Sequence, residues 1–524
     1  MLNLKVIADL IGVPESASFE GRQVNKVEFD SRQVGPDDLF VCVPGFQVDG
    51  HKFAEQAVKQ GATALVVERP LEELSHIPQL LVPQARKALA QIAGLASGYP
   101  VQSLRLVGIT GTNGKTSAAH FCESVLAGSG RVPGVLGTIH TKIAGRPIPT
   151  THTTPESLVL QRLFATMTEA GCDSVVMEVS SHALELERVY GVPFDVAVFT
   201  NLRHDHLDFH GDMETYFQAK RKLFSGLRYI KGRPAPYAVI NGDDDYGRRL
   251  LKELRVPYIS YGQGENCHIR ATELSIAPEG VSFNVETPVG GRRVDLSVSG
   301  LFTVYNALAA IGVGLAVKAD LDQILLAVES VGSVSGRFEP VREGQDFAVV
   351  VDYAHTPDGL EKLLESARQI TRGKLYAVFG CGGDRDAQKR PVMGEIAGRL
   401  ADRVILTSDN PRSESPQEIL RQIEAGMAHS LAAVEIESDR AQAICRAIAI
   451  AEAGDTIVIA GKGHETYQII GDRVLEFDDR EVARLALRGR MFRGKPGLRT
   501  HALTWTERRR PVYPDGTAAS AGDS

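Results

Sequence analysis

The hydrophobic pattern of the chain changes period several times, and the changes divide it into units. In the first part, apolar and β-branched runs at Lys26 to Asp30, Leu39 to Val43 and Ala64 to Val67 alternate with stretches whose apolar residues recur at helical spacing. Residues 1–100 are therefore expected to form a small α/β unit. From Leu104 a different rhythm begins, in which an apolar run ends in a polar or glycine-rich loop and a helical stretch follows. Leu104–Thr110, Ser174–Ser180, Val196–Asn201 and Tyr237–Asn241 all fit it. Strands separated by helices predict a mostly parallel sheet, whose ligands sit beyond the carboxyl ends of the strands. From Pro257 to Gly300 the pattern is alternation instead, with turn signals at Pro278-Glu-Gly and Gly290-Gly, so an antiparallel patch appended to the central unit (101–335) is expected. After Gly336 the parallel rhythm returns at Ala348–Tyr353, Leu375–Gly380, Val404–Ser408 and Thr456–Ala460, predicting a third α/β unit over 336–497. Residues 498–524, Arg/Pro-rich and then Gly/Ala/Ser-rich, have too little apolar content for a core and are read as a disordered tail.

Composition narrows the function classes. The 58 Lys+Arg against 65 Asp+Glu leave a net charge of -7, which argues against bulk binding to nucleic acid or a membrane surface but permits a local basic pocket. The 6 cysteines lie far apart without a C-x-x-C pair, so neither a zinc knuckle nor a disulfide framework is indicated. The longest apolar candidate, Asn306 to Val317, falls short of the roughly 20 residues of a membrane span and reads as a buried helix. The N-terminus lacks the apolar core and cleavage site of a signal peptide, and a cytoplasmic protein is expected.

The strongest chemical signal is Gly108-Ile-Thr-Gly-Thr-Asn-Gly-Lys-Thr-Ser117, between an apolar strand and a helical stretch. Glycines let backbone N–H groups approach a polyphosphate, the helix N-terminus adds positive potential, Lys115 neutralises phosphate charge and the Thr116 hydroxyl can reach Mg²⁺. Ile109 replaces the first glycine of the general phosphate-loop pattern, yet strand and helix stand where the pattern needs them, and ATP is the ligand read here. Glu178 and His206, each after a central strand, are candidates to hold Mg²⁺. Two rival readings stand beside it: a zinc site of His204, His206 and His210, and histidines that merely satisfy hydrogen bonds at a helix start. Tyr216 to Phe224 reads as an amphipathic helix with cations on one face, and taken alone Lys220 belongs to its solvated surface.

In the third unit the loops Asp352–Asp358, Gly380–Asp386, Ser408–Arg412 and Gly461–Glu465 each follow a parallel strand. All four should meet on one rim, bringing Arg385, Arg412 and Glu465 within reach of one zwitterionic ligand.

Together these motifs resemble the Mur ligases of peptidoglycan synthesis, and among them the diaminopimelate-adding branch. The likeness runs from about Phe29 to Glu465 and rests on Asp30-Ser-Arg, Gly111-Thr-Asn-Gly-Lys-Thr, Glu178-Val-Ser-Ser-His, Asn201 to Gly211, Tyr305-Asn306, Gly336-Arg337, the Asp352 loop and Asp409-Asn-Pro-Arg. The resemblance implies three α/β domains: UDP-binding, central phosphate-loop ATPase, and Rossmann-like C-terminal. It implies an ATP-driven amide ligase of cell-wall precursor synthesis, needed for cell shape and division, which adds meso-2,6-diaminopimelate to the D-glutamyl γ-carboxylate of UDP-N-acetylmuramoyl-L-alanyl-D-glutamate through an acyl phosphate. ATP would sit on Gly111, Thr112, Asn113, Gly114, Lys115, Thr116 and Ser117, with Asn306, Arg337 and Asp352 close by. Two Mg²⁺ ions would be held by Thr116, Glu178, His206 and Lys220, the last as a carbamate (N6-carboxylysine). The UDP-dipeptide would contact Phe29, Ser31, Phe46, Gln47, Val48, Thr153, Thr154, Ser180 and Arg188. Diaminopimelate would contact Arg385, Asp409, Asn410, Pro411, Arg412, Gly461 and Glu465.

The amino-acid loop bears on specificity. Diaminopimelate carries a carboxylate at its far end that Arg412 can bind as a charge-assisted fork, whereas lysine leaves the guanidinium poorly paired. Ser335 stands where relatives often have Pro, for which a looser hinge is expected, and Leu186 stands where some have Gln. The rival functions are a lysine-adding Mur ligase, a folylpolyglutamate synthetase-like ligase and, from another class, a non-catalytic nucleotide-binding regulator. Only small-molecule substrates are implied, with no nucleic acid or membrane partner, and a monomer is expected.

Overall fold

The computed structural model describes residues 1–14, 16–45, 48–139, 141–149 and 152–492, so the expected tail lies outside the described residues. In the first unit Val27–Glu28, Asp38–Val41, Ala62–Val67 and Gln79–Leu81 form a four-stranded parallel sheet. The helix Ala85–Ala96 repeats Leu89, Ile92 and Ala93 at three- and four-residue intervals and buries that stripe in the sheet core, which Leu158 of the next unit joins.

The central unit is built on an 11-stranded sheet. Arg105–Thr110 lies in its middle, parallel to Ser174–Glu178 on one side and Val196–Phe199 on the other. Pro133–Leu136 joins the parallel part next to Ser174–Glu178. The expected antiparallel patch is smaller than its sequence suggests and continuous with the rest: Tyr258–Gly262 pairs in parallel with Tyr237–Asn241, and Ile269–Ala277 starts in parallel beside it. Within this stretch the antiparallel part is the meander Ile269–Ala277, Gly280–Thr287 and Gly290–Leu296, as its alternating burial and two tight turns require, while Thr141–Ile143 and Arg146–Ile148 form a second antiparallel edge at the far side of the sheet. Helices Lys115–Gly128, Leu301–Ala316 and Leu321–Glu329 cover one face, and Ser157–Glu169 and Met213–Ser225 the other. Leu301–Ala316 is the buried helix expected around Asn306, and no helix among the described residues is long and apolar enough to cross a membrane.

In the third unit Ala348–Asp352, Thr456–Ala460, Leu375–Phe379, Arg403–Leu406 and Ala433–Ile436 run parallel in that spatial order, with Glu339–Pro340 as an antiparallel edge. The carboxyl ends of the first four strands are therefore side by side, which sets the four polar loops on one rim. The unit rests on the central one through Phe302 and Phe338, whose ring centroids are 5.3 Å apart, and through Arg342, which donates to Pro278 O at 3.2 Å. At the connection for which a looser hinge is expected, the Ser335 hydroxyl accepts from Arg480 of the last helix, and the next amide, Gly336 N, donates to Glu339 Oε2 at 2.7 Å.

Candidate active site

The strand Arg105–Thr110 delivers the chain to the carboxyl edge of the sheet, where Gly111 to Gly114 turn it into the helix Lys115–Gly128. Two of the glycines are required by space. A Cβ at Gly111 would fall 1.8 Å from Thr200 Oγ1, and one at Gly114 (φ 84°) would fall 2.8 Å from Asn306 Oδ1. The end of the neighbouring strand locks the loop, since Asn113 N donates to Asn201 Oδ1 at 3.0 Å and Thr200 Oγ1 donates to Asn113 O at 2.6 Å. No side chain caps the helix, so its first-turn N–H groups are left for an anion. Lys115 Nζ folds back onto Gly111 O and Thr112 O, each at 3.0 Å, and burial pulls its pKa down. Ser117 is buried in the first helical turn.

Glu178 ends the adjacent strand and is 1% exposed. It accepts from Thr116 Oγ1 at 2.9 Å, Thr138 N at 2.8 Å and Thr138 Oγ1 at 3.1 Å. Lys220 corrects the reading of its helix as solvated, for it is 1% exposed. The reason is helical spacing: Tyr216, Phe217, Leu223 and Phe224, at three and four residues from it, make up the buried face on which it also sits. Its Nζ donates to Gly111 O at 2.9 Å and lies 4.5 Å from the Tyr216 ring centre. Burial first, and the nearby Lys115 charge second, push its pKa well below the usual lysine range and favour the neutral amine.

The three histidines separate. His204 is exposed, and His210 is structural, with Nε2 2.9 Å from Ser181 Oγ and its ring stacked on Tyr216 at 4.9 Å. His206 takes a left-handed conformation (φ 53°) before the short helix Leu207–His210, and its ring lies 5.0 Å from that of His182. Burial drives His206 down to about 3, which keeps the imidazole neutral and able to bind a cation. Among the described residues no group of three or more His, Cys, Asp or Glu side chains is placed to hold a metal, and His204, His206 and His210 therefore do not form a three-histidine zinc site. A nucleotide-bound Mg²⁺ needs less from the protein, and the touching Thr116 hydroxyl and Glu178 carboxylate are hard oxygen donors of the kind it takes.

Beside this cluster the residues expected to hold a peptide come together. Thr154 Oγ1 donates to Glu178 O at 2.9 Å and accepts from Ser180 N at 3.1 Å, and Thr153 Oγ1 is 3.0 Å from Thr138 Oγ1. Arg188 donates to Thr154 O at 3.1 Å and to Glu156 Oε1 at 2.9 Å. Glu156 also accepts from Arg86 of the first unit at 3.0 Å. Neither Arg86 nor Glu156 is singled out by the sequence, where 70 positions separate them and no spacing links them. In the first unit Ser31 is buried with its hydroxyl 3.2 Å from Gln56 Oε1, Phe29 is half-buried and Val48 exposed. Phe46 and Gln47 lie outside the described residues.

On the third-unit rim, Arg412 (φ 50°) donates from Nη1 to Gly383 O at 2.7 Å. A Cβ on Gly382 would sit 3.0 Å from Arg412 Nη1 and 3.8 Å from Arg385 Cγ, so the two arginines flank one backbone position. Pro411 lies against Gly383, where a Cβ would be 1.9 Å from its carbonyl oxygen, and a Cβ on Gly461 would be 2.5 Å from Asp409 Oδ2. Asn410 Nδ2 donates to Glu465 Oε2 at 3.0 Å. Burial raises the Glu465 carboxyl above its usual range, against the pull of Lys462. Asp352 accepts from Phe338 N at 2.6 Å and Ala354 N at 2.7 Å, thereby fixing the segment that carries Arg337. Arg337 Nη2 reaches to 3.5 Å from Thr116 Oγ1, and Asn113 Nδ2 donates to Asp358 Oδ2 at 2.7 Å. The sequence points to Arg337 but not to the Asn113–Asp358 contact. Asn306 is buried beside Gly114.

Three α/β units, of which the central and third meet at a glycine-rich loop of the phosphate-binding kind, define a multidomain nucleotide-dependent enzyme. Family comparison is specific: the Mur ligase family catalytic domain matches residues 23–96, the Mur ligase middle domain 109–314, and the Mur ligase glutamate ligase domain 336–463. The chain belongs to the Mur ligase family. It is 50% identical over 466 residues to the UDP-N-acetylmuramoyl-L-alanyl-D-glutamate–2,6-diaminopimelate ligase of Geobacillus thermodenitrificans, covering 88% of this chain and 95% of the relative. The ligase of the same name from Bacillus velezensis is 45% identical over 488 residues, 92% of this chain and 98% of its own. A solved structure of a ligase of that name superposes with a TM-score of 0.65 at 32% identity, covering 89% of this chain and 95% of that one.

Proposed function

We propose that this chain joins meso-2,6-diaminopimelate to the D-glutamyl γ-carboxylate of UDP-N-acetylmuramoyl-L-alanyl-D-glutamate, with ATP converted to ADP and phosphate. The observation that carries the reading is the meeting of Arg337, from the third unit, with the Thr116–Glu178 pair of the central unit, because it joins a phosphate site to an amino-acid pocket. The relatives' activity supplies the substrates.

In this reading the γ-phosphoryl group of ATP passes to a γ-carboxylate oxygen, ADP leaves, an amine of diaminopimelate attacks the acyl carbon, and phosphate departs as the amine loses a proton. Phosphoryl transfer is mostly positioning and charge neutralisation, which fall to the loop N–H groups, Lys115 and Arg337. Thr153, Thr154, Ser180 and Arg188 hold the peptide end of the nucleotide substrate, and Phe29, Ser31 and the Phe46–Val48 segment its UDP end. Thr116, Glu178, His206 and a carbamylated Lys220 would hold two Mg²⁺ ions, whose chemistry is neutralisation of the phosphate charge. The depressed pKa of Lys220 supports the carbamate, since CO₂ adds only to a neutral amine. Glu465 and Asp409 face the ammonium of the incoming amino acid, and Arg385 and Arg412 its far carboxylate. The enzyme would work in the cytoplasm, as a monomer, on small-molecule substrates.

The test is phosphate release from ATP, Mg²⁺ and the UDP-dipeptide with diaminopimelate, L-lysine or no amino acid. Release that requires diaminopimelate, with the UDP-tripeptide seen by mass, is expected. Release with lysine alone would overturn the role of Arg412, and silence with every amine would overturn the ligase reading.

A further inference from the structure

Lys462 lies in the glycine-flanked turn after the strand Thr456–Ala460 and is 0% exposed. A buried ammonium needs partners in the interior, and this one has chosen the pocket assigned above to the amino acid. Its Nζ donates to Asn410 Oδ1 at 3.1 Å and Glu465 Oε2 at 3.0 Å, and stands 3.9 Å from Asp409 Oδ1. Ile469 N donates to the same Asn410 oxygen at 3.0 Å, so the amide has one orientation, with Nδ2 directed at Glu465 Oε2. Glu465 Oε2 therefore receives two donors from the protein, and Oε1 is the oxygen offered to a ligand.

We propose that Lys462 is a positioning residue for amino-acid selection, an internal cation that keeps Glu465 anionic and fixes its rotamer so that the incoming ammonium is accepted. The inference rests on the ligase reading and adds to it a residue that touches neither substrate nor nucleotide. Several other groups surround Glu465 and Lys462. Asp409 adds a second negative charge, Arg440 is buried nearby in a pair with Asp479, and Arg412, Tyr353, Tyr467 and His464 complete the surroundings. Arg440 has its carboxylate partner and Ala460 O, and Arg412 is held on Gly383 O, whereas Lys462 is bonded directly to Glu465.

The test is Lys462→Met, with steady-state kinetics in each substrate. The KM for diaminopimelate should rise at least about 30-fold, while those for ATP and the UDP-dipeptide stay within about twofold. Glu465 must be ionised to take the ammonium, and loss of Lys462 raises its carboxyl further, so the acid-side fall of kcat/KM for diaminopimelate should begin at higher pH. In a Glu465→Gln background the same substitution should cost less than about threefold, because its route of action is already gone. Losses that multiply in full, or KM values that rise together for all three substrates, overturn the inference. If Lys462→Met does not fold, Lys462→Gln, neutral but still a donor to Asn410, carries the same comparison. An inactive wild-type enzyme would overturn the ligase reading as well, whereas an active one with multiplying losses overturns this inference alone.

Discussion

Lys220 shows how one residue's chemistry depends on its burial. An exposed lysine carries its charge, whereas this amine is enclosed between Tyr216 and Gly111 O, beside a second cation, and is driven toward the neutral form. Addition of CO₂, as proposed, would replace a suppressed cation by an anion beside Lys115, in a site that also holds the Glu178 carboxylate and Arg337. Lys220→Ala should therefore reduce kcat at least about 100-fold, equivalent to ~2.7 kcal/mol of barrier. Short carboxylates such as acetate should restore part of the rate by occupying the vacated space, and failure of rescue would count against the carbamate. The burial was readable in the sequence, because positions 216, 217, 220, 223 and 224 lie on one helical face and four of them are aromatic or aliphatic. The run of cations Lys220-Arg-Lys222 hid it. Arg86 and Glu156 were not readable, since their contact is made by the docking of two units.

At the scale of elements, the rhythm of apolar runs ending in polar loops located most of the strands that matter, because strands buried on both faces must be continuous apolar runs. It missed two kinds. Pro133–Leu136 begins with Pro-Gly, which reads as a turn, and Ala433–Ile436 is an edge strand with little burial and hence no pattern. The phosphate loop was legible as a motif, while the reason for its glycines is tertiary. Gly111 and Thr200 come from adjacent strands, and a methyl group at Gly111 has no space beside the threonine hydroxyl. Gly111→Ala should shift the loop off the path that its N–H groups need, raising the KM for ATP at least about tenfold, or ~1.4 kcal/mol. Thr200→Ser keeps that hydroxyl and should not relieve the clash, whereas Thr200→Ala in the Gly111→Ala background should restore part of the affinity. Equal ATP affinity in wild type and Gly111→Ala would contradict this packing argument.

For the whole molecule, the chemistry lies where units meet. Arg337 reaches Thr116 and Asp358 takes the Asn113 amide across the boundary between central and third units, and Arg86 and Arg188 share Glu156 across the boundary between first and central units. The phosphate loop and the residues proposed to hold the peptide thus lie in the central core, between a first unit proposed to take the UDP end and a third whose rim is proposed to take the amino acid, an arrangement suited to bringing three substrates together with water excluded on closure. In the proposed reaction a carboxylate oxygen of the nucleotide-linked dipeptide becomes bonded to phosphorus before the amide forms. Its most direct test uses UDP-dipeptide labelled with ¹⁸O in both oxygens of the D-glutamyl γ-carboxylate, with ATP and diaminopimelate, followed by mass analysis of phosphate and product. Each phosphate released should carry one ¹⁸O and the new amide should retain the other, whereas unlabelled phosphate would mean that ATP is hydrolysed by water and would rule out the acyl-phosphate route.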